Sequence, residues 1–202
     1  MASAGIRAPK RRYRMRARAE QVAATRERIL ESALGLFGTR LYDDISLDEI
    51  AAVAETTVQT VIRHFGSKES LFAATADWSS ERMVARREEA FPGDTTGAVH
   101  ALVDHYEQWG DVVFLILSQE DRVPAIRPHT DEGRAYHRAW VERLLGGALA
   151  GLRGNARERR LAQMIAVTDL YTWKLLRRDL GLSRRQAETA IRELVEALGK
   201  EE

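Results

Sequence analysis

Residues 46–68 read SLDEIAAVAETTVQTVIRHFGSK, and this stretch decides the fold. Ser46 followed three residues later by Glu49 is a capping box: the serine oxygen accepts from a free N–H of the first helical turn, and the glutamate reaches back to the serine N–H. Such a cap is worth about 1 kcal/mol. The helix it opens is short, ending near Val53. After Glu55 and Thr56, Thr57 caps a second short helix that ends near Phe65, and Gly66 breaks it. Two short helices joined by a tight turn form a helix-turn-helix, whose second helix enters the major groove of double-stranded DNA. Val61 and Phe65, four apart, share the inward face, and Gln59 and Arg63, also four apart, share the opposite one. Glutamine suits adenine, arginine suits guanine or phosphate, and Val58 suits a thymine methyl. Ser46, Thr57 and Lys68 stand at helix N-termini, where backbone N–H groups and a small hydroxyl or ammonium bind phosphate.

Working outward, a first helix is expected from about Gln21 to Gly38, with Leu30, Leu34, Phe37 and Leu41 forming one apolar stripe. Ser67 caps a long fourth helix reaching about Ala90, and FPGD at 91–94 stops it. Further helices are expected at about 95–120, 127–150, 155–180 and 183–198, separated by Pro124, Pro128, the glycine-rich 146–154 stretch and Gly181. The apolar run Val112–Leu117 lies between helical neighbours and reads as a buried helix segment. The fold class is all-α, with an N-terminal three-helix helix-turn-helix domain followed by a C-terminal helical ligand-binding and dimerisation domain. The expected boundaries are a flexible basic arm at 1–19, the DNA-binding domain at 20–66, and the ligand and dimer domain at 67–202.

The 202 residues are 45% apolar and 30% charged, a globular composition. With no cysteine, disulfides, a thiol nucleophile and cysteine-ligated zinc are excluded. No apolar run approaches the roughly 20 residues of a membrane helix, and the basic N-terminus lacks the apolar stretch of a secretory signal. A cytoplasmic protein without a membrane partner is expected. The net charge of +1 conceals an asymmetry: residues 1–18 hold seven basic residues, among them Arg16 and Arg18, and no acidic one, which leaves 24 basic against 30 acidic in the remainder. A basic arm on a mildly acidic body fits a polyanionic partner, and it equally fits a solvated tail.

The segment TRERILESALGLFGTRLYDDISLDEIAAVAETTVQTVIRHFGSKESLF, residues 25–72, resembles the DNA-binding region of TetR-type regulators, above all in RILESALGLF, ISLDEIAAVA and HFGSKESLF. Further on, HYEQWGDVVFLILSQE at 105–120 and DLYTWKLLRRDLGLS at 169–183 are similar to actinobacterial members. The resemblance implies that Thr57, Val58, Gln59 and Thr60 read bases or grip phosphate, and that Ser46, His64 and Lys68 contact phosphate. Two positions depart from the family pattern. Glu55 replaces the usual glycine of the turn; positive φ is disfavoured for such a residue, so a remodelled turn is expected. Ile62 replaces a tyrosine that often contacts the DNA backbone. Either Ile62 packs in the core, or affinity leans on the arm, with Arg16 and Arg18 reaching a minor groove as homeodomain arms do.

In the second half, LAQMIAVTDLYTWKLL at 161–176 is apolar around most of a helical wheel. Leu161, Met164, Ile165, Thr168, Tyr171, Leu175 and Leu176 form one broad face, and Leu170 and Trp173 fall toward the other. A helix apolar on two sides is covered twice, which points to a homodimer closed by this helix and the 183–198 helix, or else to a helix buried within one subunit. Candidate effector contacts are His105, Tyr106, Trp109, Phe114, Trp140, Met164, Thr168, Asp169 and Tyr171, a mostly apolar set with a few polar groups. The aromatic and sulfur side chains read equally as ordinary core. His100 and Asp104, four apart, read as a metal fragment or as a helix-surface hydrogen bond. No HExxH, GxSxG or phosphate-binding glycine loop is present, so no catalytic residue, cofactor or metal is assigned and an enzyme is not expected. The expected function is that of a transcriptional regulator on a double-stranded operator, a repressor released by a small, mainly apolar effector. The alternative is a ligand-binding helical dimer with weak or lost specific DNA binding.

Overall fold

A computed structural model describes residues 8–85 and 87–200. No strand occurs among the described residues. The chain forms two compact units, Met1–Thr75 and Ala76–Glu202; the sequence reading places the boundary between 66 and 67.

The first unit holds α1 (Ala8–Phe37), a 3-10 turn at Tyr42–Asp44, α2 (Leu47–Val53), α3 (Val58–Phe65) and the opening of α4 (Lys68–Val84). Ile29, Leu30, Ala33, Phe37, Ile45, Ile50, Val61, Leu71 and Phe72 are buried together in its core. Full burial of such side chains contributes about 1.5–3 kcal/mol each. The expected stripe needs one correction: Leu41 is 42% exposed. Because α1 ends at Phe37, the helical step to residue 41 is lost. Tyr42 closes the core instead, its ring 5.7 Å from those of Phe37 and Phe72.

A second correction concerns the arm, since residues 8–19 are helical and continuous with the rest of α1. Pro9 lies in the first turn, where its missing N–H costs nothing. From residue 10 to 34 the chain holds no glycine or proline and is rich in the good helix formers arginine and alanine. The part of the expected arm at 1–7 lies outside the described residues.

The second unit continues α4, then runs through a 3-10 turn (Arg87–Glu89), α5 (Thr95–Leu117), α6 (Arg127–Leu144), a 3-10 turn (Gly146–Leu149), α7 (Gly154–Thr168), α8 (Leu170–Lys174), a π-helical turn (Leu175–Asp179) and α9 (Arg184–Lys200). Asp94 caps α5 by accepting from the Gly97 N–H at 2.9 Å. Pro128 sits in the first turn of α6. The core gathers Leu102, Val103, Tyr106, Trp140, Val141, Leu144, Leu161, Met164, Trp173 and Ile191. The Val112–Leu117 run is helical as expected, but each of its side chains is half-buried.

Three expected helices end early. α4 stops at Val84 rather than near Ala90, and α6 stops at Leu144 where the Gly146–Gly147 pair begins a 3-10 turn. The expected 155–180 helix breaks at Asp169, whose backbone is extended (φ −74°, ψ 155°). There the Asp169 carboxylate accepts from the Tyr171 N–H at 2.9 Å, and the freed Thr168 carbonyl accepts from the Tyr106 hydroxyl at 3.0 Å. The break re-aims everything after it. Leu170 and Trp173, expected on the side away from the broad apolar face, are buried in their own unit, and Tyr171 and Leu175 of that broad face are about half exposed.

Candidate nucleic-acid interface and effector core

α3 stands on a prepared footing. Ser46 and Glu49 form the expected capping box: Ser46 Oγ accepts from the Glu49 N–H at 3.1 Å, and the Ser46 N–H donates to Glu49 Oε2 at 2.9 Å. Glu49 also accepts from Arg40 Nη1 at 2.8 Å. That hydrogen bond, with those from Ser46, lowers its carboxyl to about 2. The turn that follows is not remodelled. Glu55 adopts φ 50°, and the Thr56 N–H donates to the Ala51 carbonyl at 2.9 Å. The left-handed conformation is therefore kept with a side chain in place, at a strain of about 1–2 kcal/mol.

Thr57 caps α3: its Oγ1 accepts from the Thr60 N–H at 3.2 Å and lies 3.1 Å from the Thr60 hydroxyl. Val61 is buried, and Phe65 lies under the Arg26 guanidinium at 5.2 Å. Gly66, at φ 82°, ends the helix in a conformation that suits glycine. Gln59 and Arg63 are exposed; Val58, Thr60 and His64 are half-buried. Partial burial, then Arg63 and Arg26, lower the His64 pKa. Ile62 is 46% exposed, so the core reading of this residue is overturned: the face opposite Val61 points away from α1 and α2.

The polar atoms expected at phosphate divide into two groups. Ser46 and Thr57 spend their hydroxyls on capping. Lys68 turns inward, its ammonium donating to the Tyr42 carbonyl and lying 4.1 Å over the Tyr42 ring. Burial lowers its pKa. Arg16 and Arg18 are exposed on α1, and Arg16 pairs with Glu20 at 3.0 Å. Arg26 and Arg40, which brace the first unit, were not singled out from the sequence: Arg26 reaches Phe65 across elements, and Arg40 reaches Glu49 and the Asp44 carbonyl.

In the second unit the structure brings together part of the expected effector set. His105, Tyr106, Trp140, Met164 and Thr168 are buried, and they surround a residue that the sequence reading missed, Arg87. Its Nη2 donates to His137 Nδ1 at 2.9 Å, and its guanidinium lies 4.5 Å from the Trp140 ring and 5.1 Å from the Tyr136 ring. The Trp140 N–H donates to the Arg87 carbonyl at 3.3 Å. The Thr168 hydroxyl donates to the Met164 carbonyl at 2.7 Å, so at its 3.1 Å contact with His137 Nε2 it accepts. That assigns the His137 proton to Nε2 and leaves Nδ1 as acceptor for Arg87. His105 Nδ1 donates to the Met83 carbonyl at 2.9 Å. Burial first, and Arg87 second, lower His105 to about 4 and His137 to about 3.

The remaining effector candidates lie elsewhere. Asp169 is the helix cap described above. Phe114 and Tyr171 stack edge-on at 5.7 Å, with Tyr171 54% exposed. Trp109 is half-buried, and it is Trp173 whose ring lies 5.9 Å from Tyr106. His100 resolves as a surface hydrogen-bonding residue, with Nδ1 2.9 Å from Glu188 and Nε2 3.4 Å from Asp104. A surface groove of about 320 Å³ beside Phe91, Asp94, His100 and Asp104 contains none of the effector candidates. Among the described residues Asp77, His129 and Glu132 lie close together, with His129 Nδ1 3.8 Å from Asp77 in ion-pair range.

A braced pair of short helices joined by a tight turn, with Gln59 and Arg63 on the outer face of the second, is a helix-turn-helix unit. Residues 29–75 match the family described as bacterial regulatory proteins, tetR family, so this segment is similar to the DNA-binding region of that family. Solved structures share the fold of most of the chain. A tetR-family transcriptional regulator from Streptomyces coelicolor is 21% identical, with 86% of this chain and 81% of that chain covered at a TM-score of 0.66. A transcriptional regulator from Rhodococcus sp. Rha1 is 17% identical, with 86% and 95% covered at 0.66. A Saccharomonospora viridis protein solved in complex with choline is 20% identical, with 85% and 95% covered at 0.58. No curated protein is significantly similar to the chain.

Proposed function

We propose that the protein is a homodimeric repressor that α3 docks onto an operator and that a small effector in the second unit releases. The observation that carries this reading is the outward placement of Gln59 and Arg63 on a helix capped by Thr57 and anchored by Val61. A reading helix held this way presents an amide and a guanidinium to base edges and phosphates. Thr60, Val58 and His64 flank them, and the α1 arginines Arg16 and Arg18 add sequence-independent attraction to the backbone.

Two further features support the dimer and the effector. Tyr171, Leu175, Leu180 and Leu194 leave apolar surface open late in the second unit, where a second copy would bury it, and a twofold dimer matches paired half-sites about 34 Å apart. The buried group around Arg87, His105, His137 and Thr168 supplies polar contacts inside an aromatic core, the make-up of an effector site. Choline, the ligand of the S. viridis neighbour, is a poor model here: the rings of Trp140 and Tyr136 that would cage a quaternary ammonium already hold Arg87. No described helix is long and apolar enough to cross a membrane.

The test is a gel-shift titration against the intergenic DNA upstream of the protein's own gene, at two salt concentrations with scrambled competitor, followed by selection from random DNA. A shift that survives competitor establishes specific binding. Failure of both would leave the alternative, a ligand-binding helical dimer, which the inward Lys68 and the capped hydroxyls of Ser46 and Thr57 favour.

A further inference from the structure

Arg87 is a buried cation to which no carboxylate is bonded among the described residues. It is 4% exposed, it sits on a single 3-10 turn between α4 and α5, and its Nε–H is sealed from solvent without a hydrogen-bond partner. Glu88, the carboxylate that acts on Arg87, is engaged elsewhere: it accepts from the Tyr136 hydroxyl at 2.6 Å and from Arg143 at 2.8 Å. Of the other facing groups, His105, His137, Tyr106, Tyr136 and Thr168 are neutral and Arg143 is a second cation. Burying a charge without a counter-charge is costly, and groups so placed are ordinarily paired.

Two other arginines of the same unit show what this side chain does when its partner is present. Arg177 places Nε and Nη2 on the two oxygens of Glu107, at 2.5 and 2.8 Å. Arg178 places the same two nitrogens on the two oxygens of Asp111, at 3.0 and 2.8 Å. Arg87 offers this same edge to an imidazole lone pair: Nη2 reaches His137 Nδ1 and Nε reaches nothing. His137 therefore occupies half of a carboxylate's place. We propose that Arg87 is the anchor of an acidic effector, one whose carboxylate takes the Nε–Nη2 edge while its apolar body lies among Tyr106, Trp140 and Met164. This rests on the effector-responsive reading above and refines the expectation of a mainly apolar ligand: the effector also carries a negative charge. A bidentate pair at this edge is the strong, geometrically selective form of the interaction.

The test is thermal unfolding of the full chain with benzoate and hexanoate, their neutral counterparts benzamide and hexanamide, and choline, in the wild type and in Arg87→Met and Arg87→Lys. Benzoate or hexanoate should raise the Tm of the wild type saturably, and the amides and choline should not. Arg87→Met should unfold at or above the wild-type temperature, since an unpaired buried charge is gone, and should lose the response. Arg87→Lys keeps the charge without the two-nitrogen edge and should bind the acid about tenfold or more weakly, which corresponds to about 1.4 kcal/mol. The proposal is overturned if the acids shift no Tm, if they shift wild type and Arg87→Met alike, or if both variants unfold at lower temperature with no acid response in the wild type, which would make Arg87 a structural brace. Operator release by choline or an amide, with no need for Arg87, would overturn the acidic effector and leave the ligand-released repressor standing. Acid binding that needs Arg87 in a protein for which selection yields no operator would do the reverse.

Discussion

The indole of Trp173 rests on Gly110: a Cβ built at Gly110 would lie 2.5 Å from Cζ3 of the ring. Both residues are buried, and the Trp173 N–H donates to Glu107 at 3.0 Å, one turn from Gly110 on α5. The ring cannot retreat without breaking that bond. Gly110→Ala should therefore destabilise the protein by about 1–3 kcal/mol, because overpacking outweighs the gain of up to about 1 kcal/mol in helix propensity. Urea unfolding decides it, and a stabilised variant would show that the ring yields freely.

Glu55 holds a conformation that glycine adopts without strain. Glu55→Gly should raise stability by about 0.5–1 kcal/mol, since removing the left-handed strain outweighs the extra unfolded-state entropy of glycine. The comparison is again by urea, with operator affinity measured alongside. A loss of stability would mean that the Glu55 side chain contributes contacts that exceed the strain.

Gln59→Ala and Arg63→Ala should each weaken specific operator binding by about 1–3 kcal/mol while leaving Tm within a degree or two, because both side chains point outward. If Arg63 grips phosphate, its variant loses affinity uniformly across sequences and lowers the salt slope by about 1; if it reads guanine, one operator position relaxes instead. Unchanged affinity in both variants would remove α3 from the interface.

Acid lability follows from His105 and His137, whose folded pKa values are depressed to about 4 and about 3. The unfolded chain protonates both near 6.5, so it binds more protons than the folded state below that pH. Their stabilisation is complete above about pH 6.5 and falls as pH drops, with a slope approaching two protons before the carboxylates titrate. His64, also lowered, adds a share of the same sign. Denaturant titrations between pH 7 and 4.5 should show this slope, and His137→Gln should reduce it by about one proton. A flat profile over that range would contradict the neutral, buried state of both imidazoles.

The dimer prediction concerns the open apolar surface. Leu175→Glu and Leu194→Glu, at residues 49% and 45% exposed, should each yield monomers in sedimentation velocity at micromolar concentration, with the helical content of the single chain retained. Dimers persisting in the double variant would place the interface elsewhere.

What could be read from the chain without coordinates was the part governed by neighbours in sequence. The Ser46–Glu49 box, the Thr57 cap and the Gly66 stop are local chemistry, and α2 and α3 occur where those signals put them. The break at Asp169 was illegible because LAQMIAVTDLYTWKLL holds no glycine or proline; the helix is interrupted where the Tyr106 hydroxyl, 62 residues away, takes the Thr168 carbonyl. That interruption also explains why the wheel misplaces Leu170 and Trp173: an unbroken helix puts them opposite the broad apolar face, whereas both are buried in the unit's own core. Arg87 was invisible for a related reason. In the run RREEA at 86–90 it looks like one solvated charge among several, and only the end of α4 at Val84 turns it inward. Lys68 likewise looked like a phosphate contact from its helix N-terminus, whereas the Tyr42 ring and carbonyl that hold it lie 26 positions away.

The side chains that hold α3 in place and those it displays are separate sets. Val61 and Phe65 pack inward, Thr57 and Gly66 cap the two ends, and Gln59 and Arg63 face out. If α3 reads the operator as proposed, a change of preference is a matter of recoding outward positions such as 59 and 63 without refolding anything. The same frame could carry a series of dialects, each set by what stands at 59 and 63, and divergence of target sites between descendants of this protein would cost no stability.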